Sequence, residues 1–92
     1  MNVEGWNTMY KVLFSKSAKK DLEKVNTVYL VSIDSHIKKL SENPRPFGCV
    51  KLAGSENSYR IRVGVYRIIY SIKDDILVIE VIKIDHRRNV YR

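Results

Sequence analysis

The side chains best equipped for chemistry cluster late in the chain: Arg60, Arg62, Arg67, Arg87 and Tyr91, each in or just beyond a β-rich segment. Four guanidinium groups and a phenol suit a phosphate. Arginine donates paired hydrogen bonds to phosphate oxygens from a planar fork and stays charged at any working pH. In Tyr59-Arg60-Ile61-Arg62-Val63 apolar residues alternate with arginines, so a strand sends both guanidinium groups to one face and the apolar residues to the other. Only Gly64 separates this run from Val65-Tyr66-Arg67-Ile68-Ile69-Tyr70-Ser71-Ile72. That spacing reads as a tight hairpin turn, which sets Arg67 beside Arg62 across the ladder. An ordinary solvated strand face would carry the same alternation.

The run Asp85-His86-Arg87-Arg88-Asn89-Val90-Tyr91-Arg92 adds an imidazole beside two guanidinium groups and a phenol. By itself it reads as a basic tail as readily as a site. Its conjunction with the Arg60, Arg62 and Arg67 face favours a site.

These residues belong to one small domain of residues 9–92, with residues 1–8 read as an extension. The 17 Lys+Arg against 10 Asp+Glu give a formal charge of +7, which favours a polyanionic partner: nucleic acid first, an acidic protein second. A lone Cys49 forms no intrachain disulfide and suits a reducing compartment, where it reads as a small packed residue. The apolar stretch from Ile76 to Ile84 is broken by Glu80 and Lys83 and is too short to span a bilayer. The first eight residues lack the basic start and apolar core of a signal peptide, so a cytoplasmic location is expected. No metal or other cofactor is expected. His36 and His86 lie far apart, and Gly48, Gly54 and Gly64 match no phosphate-loop spacing.

Positioning the arginines falls to a small set of elements. Residues 9 to 14 read as a first strand, and Ser15 is placed to cap a helix in which Ala18, Leu22 and Val25 form an apolar stripe. Lys16, Lys19, Lys20 and Lys24 cover its other side and read as a solvated face rather than an RNA contact. Asn26 or Thr27 caps a second helix with Leu30, Ile33, Ile37 and Leu40 inward, and Asn43-Pro44-Arg45-Pro46 stops it. Further strands are expected at 58 to 63, 65 to 72 and 76 to 85, the last apolar on both faces and therefore central, with a possible short piece near Cys49 to Leu52. The fold class is α+β: an amino-terminal strand and a two-helix hairpin packed on a curved, mainly antiparallel four-stranded sheet.

Residues 10 to 92 resemble a toxin of the RelE/ParE superfamily of toxin-antitoxin systems. The resemblance rests on Lys11-Val12-Leu13-Phe14, Ala18-Lys19-Lys20-Asp21-Leu22, Lys51-Leu52-Ala53-Gly54, Tyr59 through Tyr70, and His86-Arg87-Arg88-Asn89-Val90-Tyr91. The nearer similarity is to the RelE branch, which implies a metal-independent endoribonuclease that cuts messenger RNA in the ribosomal A site. The products it implies are a 2′,3′-cyclic phosphate and a 5′-hydroxyl. It further implies a cognate antitoxin partner, catalytic roles for Arg62, Arg67, Arg87 and Tyr91, and RNA contacts from Arg60, Lys51 and Arg88. Two strand positions often filled by lysine in that branch hold Arg60 and Arg62, and arginine is a poor base. Proton transfer is therefore expected from His86 or Tyr91. The competing expectation is a ParE-like toxin that inhibits DNA gyrase by protein binding, without catalysis; a module that binds RNA without cutting it is the third.

Overall fold

Ser15 ends a strand and begins a helix, because its side-chain oxygen accepts the Ala18 N–H at 3.0 Å while its own N–H donates to Val81 O at 2.9 Å. Around such junctions the computed structural model, which describes residues 9–86, arranges seven elements. They are β1 (Lys11–Phe14), α1 (Lys16–Glu23), α2 (Thr27–Glu42), β2 (Val50–Lys51), β3 (Ser58–Val63), β4 (Tyr66–Lys73) and β5 (Val78–His86). Asn26 caps α2 through an Oδ1 that accepts the Val28 N–H at 3.0 Å.

One sheet of five strands runs in the order β1-β5-β4-β3-β2. The α+β fold is therefore as expected, with two differences in the sheet. β2 pairs with β3 at Val50 and Lys51, so the short piece near Cys49 to Leu52 is a fifth strand. β1 joins β5 in parallel, which makes the sheet mixed, while the other three pairings are antiparallel.

Alternation along the strands assigns each face. Ile61, Val63, Tyr66, Ile68, Tyr70, Ile72, Ile79, Val81 and Ile84 are buried against Ala18, Val25, Ile33, Ile37 and Leu40 from the helical side. This single cluster is the core. Between Ile69/Tyr70 the β4–β5 register shifts and leaves Ile82 as an extra residue on β5, an irregularity of the kind that sharpens local twist.

Strand boundaries move by one or two residues from their expected places, and β1 begins at Lys11 rather than at residue 9. β4 begins at Tyr66 because Gly64 and Val65 together form the hairpin turn, with Gly64 at φ 61°. β5 begins at Val78 because residues 74–77 make the turn, and Leu77 there adopts a φ of 53°. Among the described residues no helix is long and apolar enough to cross a membrane.

Candidate functional site

Arg62 lies directly opposite Arg67 in the β3–β4 register, and Arg67 lies directly opposite Asp85 in the β4–β5 register. Directly opposed residues share a face, so Arg62, Arg67 and Asp85 form one row across three strands on the side away from the helices. Arg60 stands two residues along β3 on the same side, opposite Ile69. Arg62 is exposed, Arg60 half-buried, and Arg67 only 8% exposed. Like charges directly opposed on a ladder cost stability, of order 0.2–1 kcal/mol. Keeping two arginines there concentrates positive charge where an anion can meet it.

The edge of β5 beyond β1 is finished by side chains of the first helix. Ser15 Oγ donates to Ile82 O at 2.7 Å, and Asp21 Oδ2 accepts the Ile84 N–H at 2.9 Å. Lys83 Nζ stands 3.6 Å from both Asp21 and Asp85, which ties this edge electrostatically to the arginine row. A polar pocket of about 260 Å³ opens here, lined by Asp21, Lys24, Tyr66, Lys83, Asp85 and His86 among others.

His86 lies opposite Tyr66 in the ladder, and their rings meet edge-on at 5.3 Å. Tyr66 packs in the core beneath Tyr29, so His86 belongs to the helix side of the sheet, one pleat away from Arg67. Lys51 likewise pairs with Tyr59 and departs from the arginine face, whereas Arg60 stays on it. Arg87, Arg88 and Tyr91 lie outside the described residues.

At the other end of β3 the loop after α2 is pinned firmly. Tyr70 Oη donates to Pro44 O at 2.8 Å, and burial pushes that phenol well above its ordinary pKa. Arg45 donates to both Asp74 oxygens at 3.4 and 2.8 Å and to Tyr59 Oη at 3.1 Å, with its guanidinium 5.3 Å from the Tyr59 ring centre. Asp74 also accepts from Tyr10 Oη at 2.6 Å. The Arg45 hydrogen bond, then the Tyr10 one, holds the Asp74 carboxyl below the usual carboxylate range, and the same Asp74 contact raises the Tyr10 phenol.

Beside that loop, a cleft of about 480 Å³ opens at the β3 edge of the sheet, lined by Lys39 of α2, Phe47 of the loop, and Arg60 and Arg62 of β3 among others. Phe47, Lys39 and Asp85 did not emerge from the sequence as candidates. Asp85 carried a usable signal, because parity with Arg87 along an extended run puts both on one side. Phe47 carried none, since exposure of a loop aromatic is decided by tertiary contacts.

Comparison with known proteins sets this geometry in a family. Residues 12–91 match the family described as "ParE toxin of type II toxin-antitoxin system, parDE". Toxin RelG of Mycobacterium tuberculosis is 29% identical over 90% of this chain and 97% of its own length. Putative toxin RelE1 of Methanocaldococcus jannaschii is 31% identical over 90% and 96%. Among solved structures, the archaeal RelE–RelB complex from Pyrococcus horikoshii superposes with a TM-score of 0.76 at 30% identity, covering 86% of this chain and 96% of that one. With that family match over residues 12–91 and a shared fold, the chain belongs to the RelE/ParE superfamily of type II toxin-antitoxin toxins.

Proposed function

We propose that this toxin is an endoribonuclease that cuts messenger RNA in the ribosomal A site, stops translation, and is held inactive by a cognate antitoxin. The observation that carries the reading is the direct opposition of Arg62 and Arg67 across β3 and β4. The RelE and RelG names of its relatives support the RelE branch. The RelE–RelB complex from Pyrococcus horikoshii supports an antitoxin partner, and a formal charge of +7 complements an acidic one that covers the basic face with a helix or strand. Ribosome and message put the activity in the cytoplasm.

In the proposed reaction the ribose 2′-hydroxyl attacks the adjacent phosphorus and the bond to O5′ breaks, which gives a 2′,3′-cyclic phosphate and a 5′-hydroxyl. Negative charge grows on the non-bridging oxygens in the transition state. Arg62 and Arg67, whose backbones the ladder sets opposite each other, stabilise that charge, and Arg87 adds a third donor; loss of one such donor typically costs about 10²- to 10³-fold in rate. Arg60, Lys51 and Arg88 hold the RNA strand. A proton must leave the 2′-hydroxyl and another must reach O5′, and His86 or Tyr91 assists, a contribution of about 10²- to 10⁴-fold. From its place beside Tyr66, His86 reaches the phosphate only around the end of β5, so Tyr91→Phe and His86→Ala separate the two assignments.

The test maps 5′ ends on a message in a reconstituted translation reaction, with wild type, Arg62→Ala and Arg67→Ala. Discrete A-site cuts lost in both variants are expected. Absence of cutting by folded wild type overturns the reading. The second reading, gyrase inhibition by protein binding, is favoured by the parDE description of the matching family. It predicts blocked supercoiling by gyrase that survives Arg67→Ala.

A further inference from the structure

Phe47 is fully exposed, yet the loop that carries it is fixed on both sides. Before it, Pro44 O takes the Tyr70 hydroxyl at 2.8 Å and Arg45 is clamped to Asp74 at 2.8 Å; after it, the Cys49 N–H donates to Pro46 O at 3.0 Å. A phenyl ring left in solvent gains nothing for the fold. It also lines the 480 Å³ cleft, whose walls combine apolar Leu40 and Val50 with cationic Lys39, Arg60 and Arg62 and, among the described residues, include no carboxylate. Aromatic ring beside cations, with no acid, is the chemistry of a nucleotide site: the base stacks and the phosphates find the charges. The cleft is continuous with the arginine row, because Arg62 belongs to both. Arg60 and Arg62, two residues apart on a strand, are spaced by about 6.8 Å, comparable to one phosphate step along an extended RNA strand.

We infer that this cleft is a nucleotide subsite that stacks one RNA base on Phe47 and steers its phosphates onto Lys39 and Arg60, thereby contributing to which sequences the toxin cuts. The inference rests on the ribonuclease reading and deepens it. The nucleotide it takes adjoins the scissile phosphate, since the strand passes directly from Arg60 to Arg62. An extended acidic peptide is the other ligand that such a wall could hold. The apolar walls and the exposed ring add recognition of a flat aromatic group that charge alone does not supply, which favours RNA.

The experiment uses programmed ribosomes carrying a message with 2-aminopurine at successive positions in and beside the A-site codon, and a 2′-O-methyl group at the attacked ribose to prevent cleavage. Wild type is expected to change the fluorescence at one position, an effect lost in Phe47→Ala and kept in Phe47→Tyr. Affinity in Phe47→Ala should fall about 10-fold. With cleavable message, Phe47→Ala should broaden the set of codons cut. Its melting temperature should match wild type, because the ring is exposed.

Unchanged fluorescence, affinity and codon pattern in Phe47→Ala, with cutting still abolished by Arg62→Ala, overturns the subsite and leaves the ribonuclease standing. Absence of cutting by wild type overturns both. Antitoxin affinity reduced by Phe47→Ala without any change in RNA recognition makes the cleft a protein-docking groove and overturns the inference.

Discussion

Tyr29 and Gly64 approach so closely that a methyl group would not fit between them: a Cβ at Gly64 would lie 2.6 Å from Tyr29 Cε1. Moving the ring would disturb its edge-on packing against Tyr66 at 5.3 Å. Gly64 also sits at φ 61°, a left-handed conformation that costs other residues roughly 1–2 kcal/mol. Gly64→Ala is expected to lower stability by about 2 kcal/mol or more, read as a fall in Tm of roughly 8–16 °C. A melting temperature equal to wild type would show that the turn relaxes without strain.

Asp21 replaces a missing strand neighbour for β5 by accepting the Ile84 N–H. Asp21→Ala leaves that donor without its acceptor and should cost about 1–3 kcal/mol. Asp21→Asn keeps a carbonyl oxygen in place and should lose less. Hydrogen exchange at the Ile84 amide, faster in Asp21→Ala than in Asp21→Asn, checks the assignment locally.

The Arg62–Arg67 opposition separates stability from activity. Arg62→Ala removes a like-charge neighbour at an exposed position, so Tm should hold or rise slightly, while single-turnover cleavage falls by about 10²- to 10³-fold. Arg62→Lys keeps the charge but not the fork and should recover only part of the rate. Equal rates for wild type and Arg62→Ala would remove Arg62 from the chemistry.

Asp74 should leave a mark on acid stability. Arg45 and Tyr10 depress its folded-state pKa below the ordinary aspartate value of about 3.9. Its contribution is therefore complete above that ordinary value and is lost as pH falls through the folded-state one. The carboxylate is about half exposed, so the effect is small and shrinks with salt. Urea midpoints of Asp74→Asn and wild type should converge as pH falls below the carboxylate range and differ above it.

Much of this arrangement was legible in the sequence because it follows from local rules. Period-2 alternation through Tyr59–Val63, a glycine turn after it, and Ser15 and Asn26 as caps fixed the hairpin and the helix starts, and with them the Arg62–Arg67 pairing. The two-residue β2 and the parallel docking of β1 on β5 depend on distant pairings that local patterns do not encode. The helix-side placement of His86 depends on β5's register with β4, which a charge-rich run such as Asp85-His86 does not announce. Phe47 shows the same limit from the other direction, since prolines predicted a loop but not its ties to Tyr70 and Asp74.

The parallel pairing of β1 with β5 also times the protein's maturation. β5 sits between β1 and β4, so the latest described strand to be synthesised is the one that joins the earliest to the rest. While residues 78–86 are still inside the exit tunnel, β1 lacks its neighbour and the Asp85 end of the arginine row does not exist. Such long-range closure comes late in folding. A chain wired in this way cannot complete its sheet until that last described strand has emerged, which leaves an interval in which an antitoxin can meet it before the arginine row is whole.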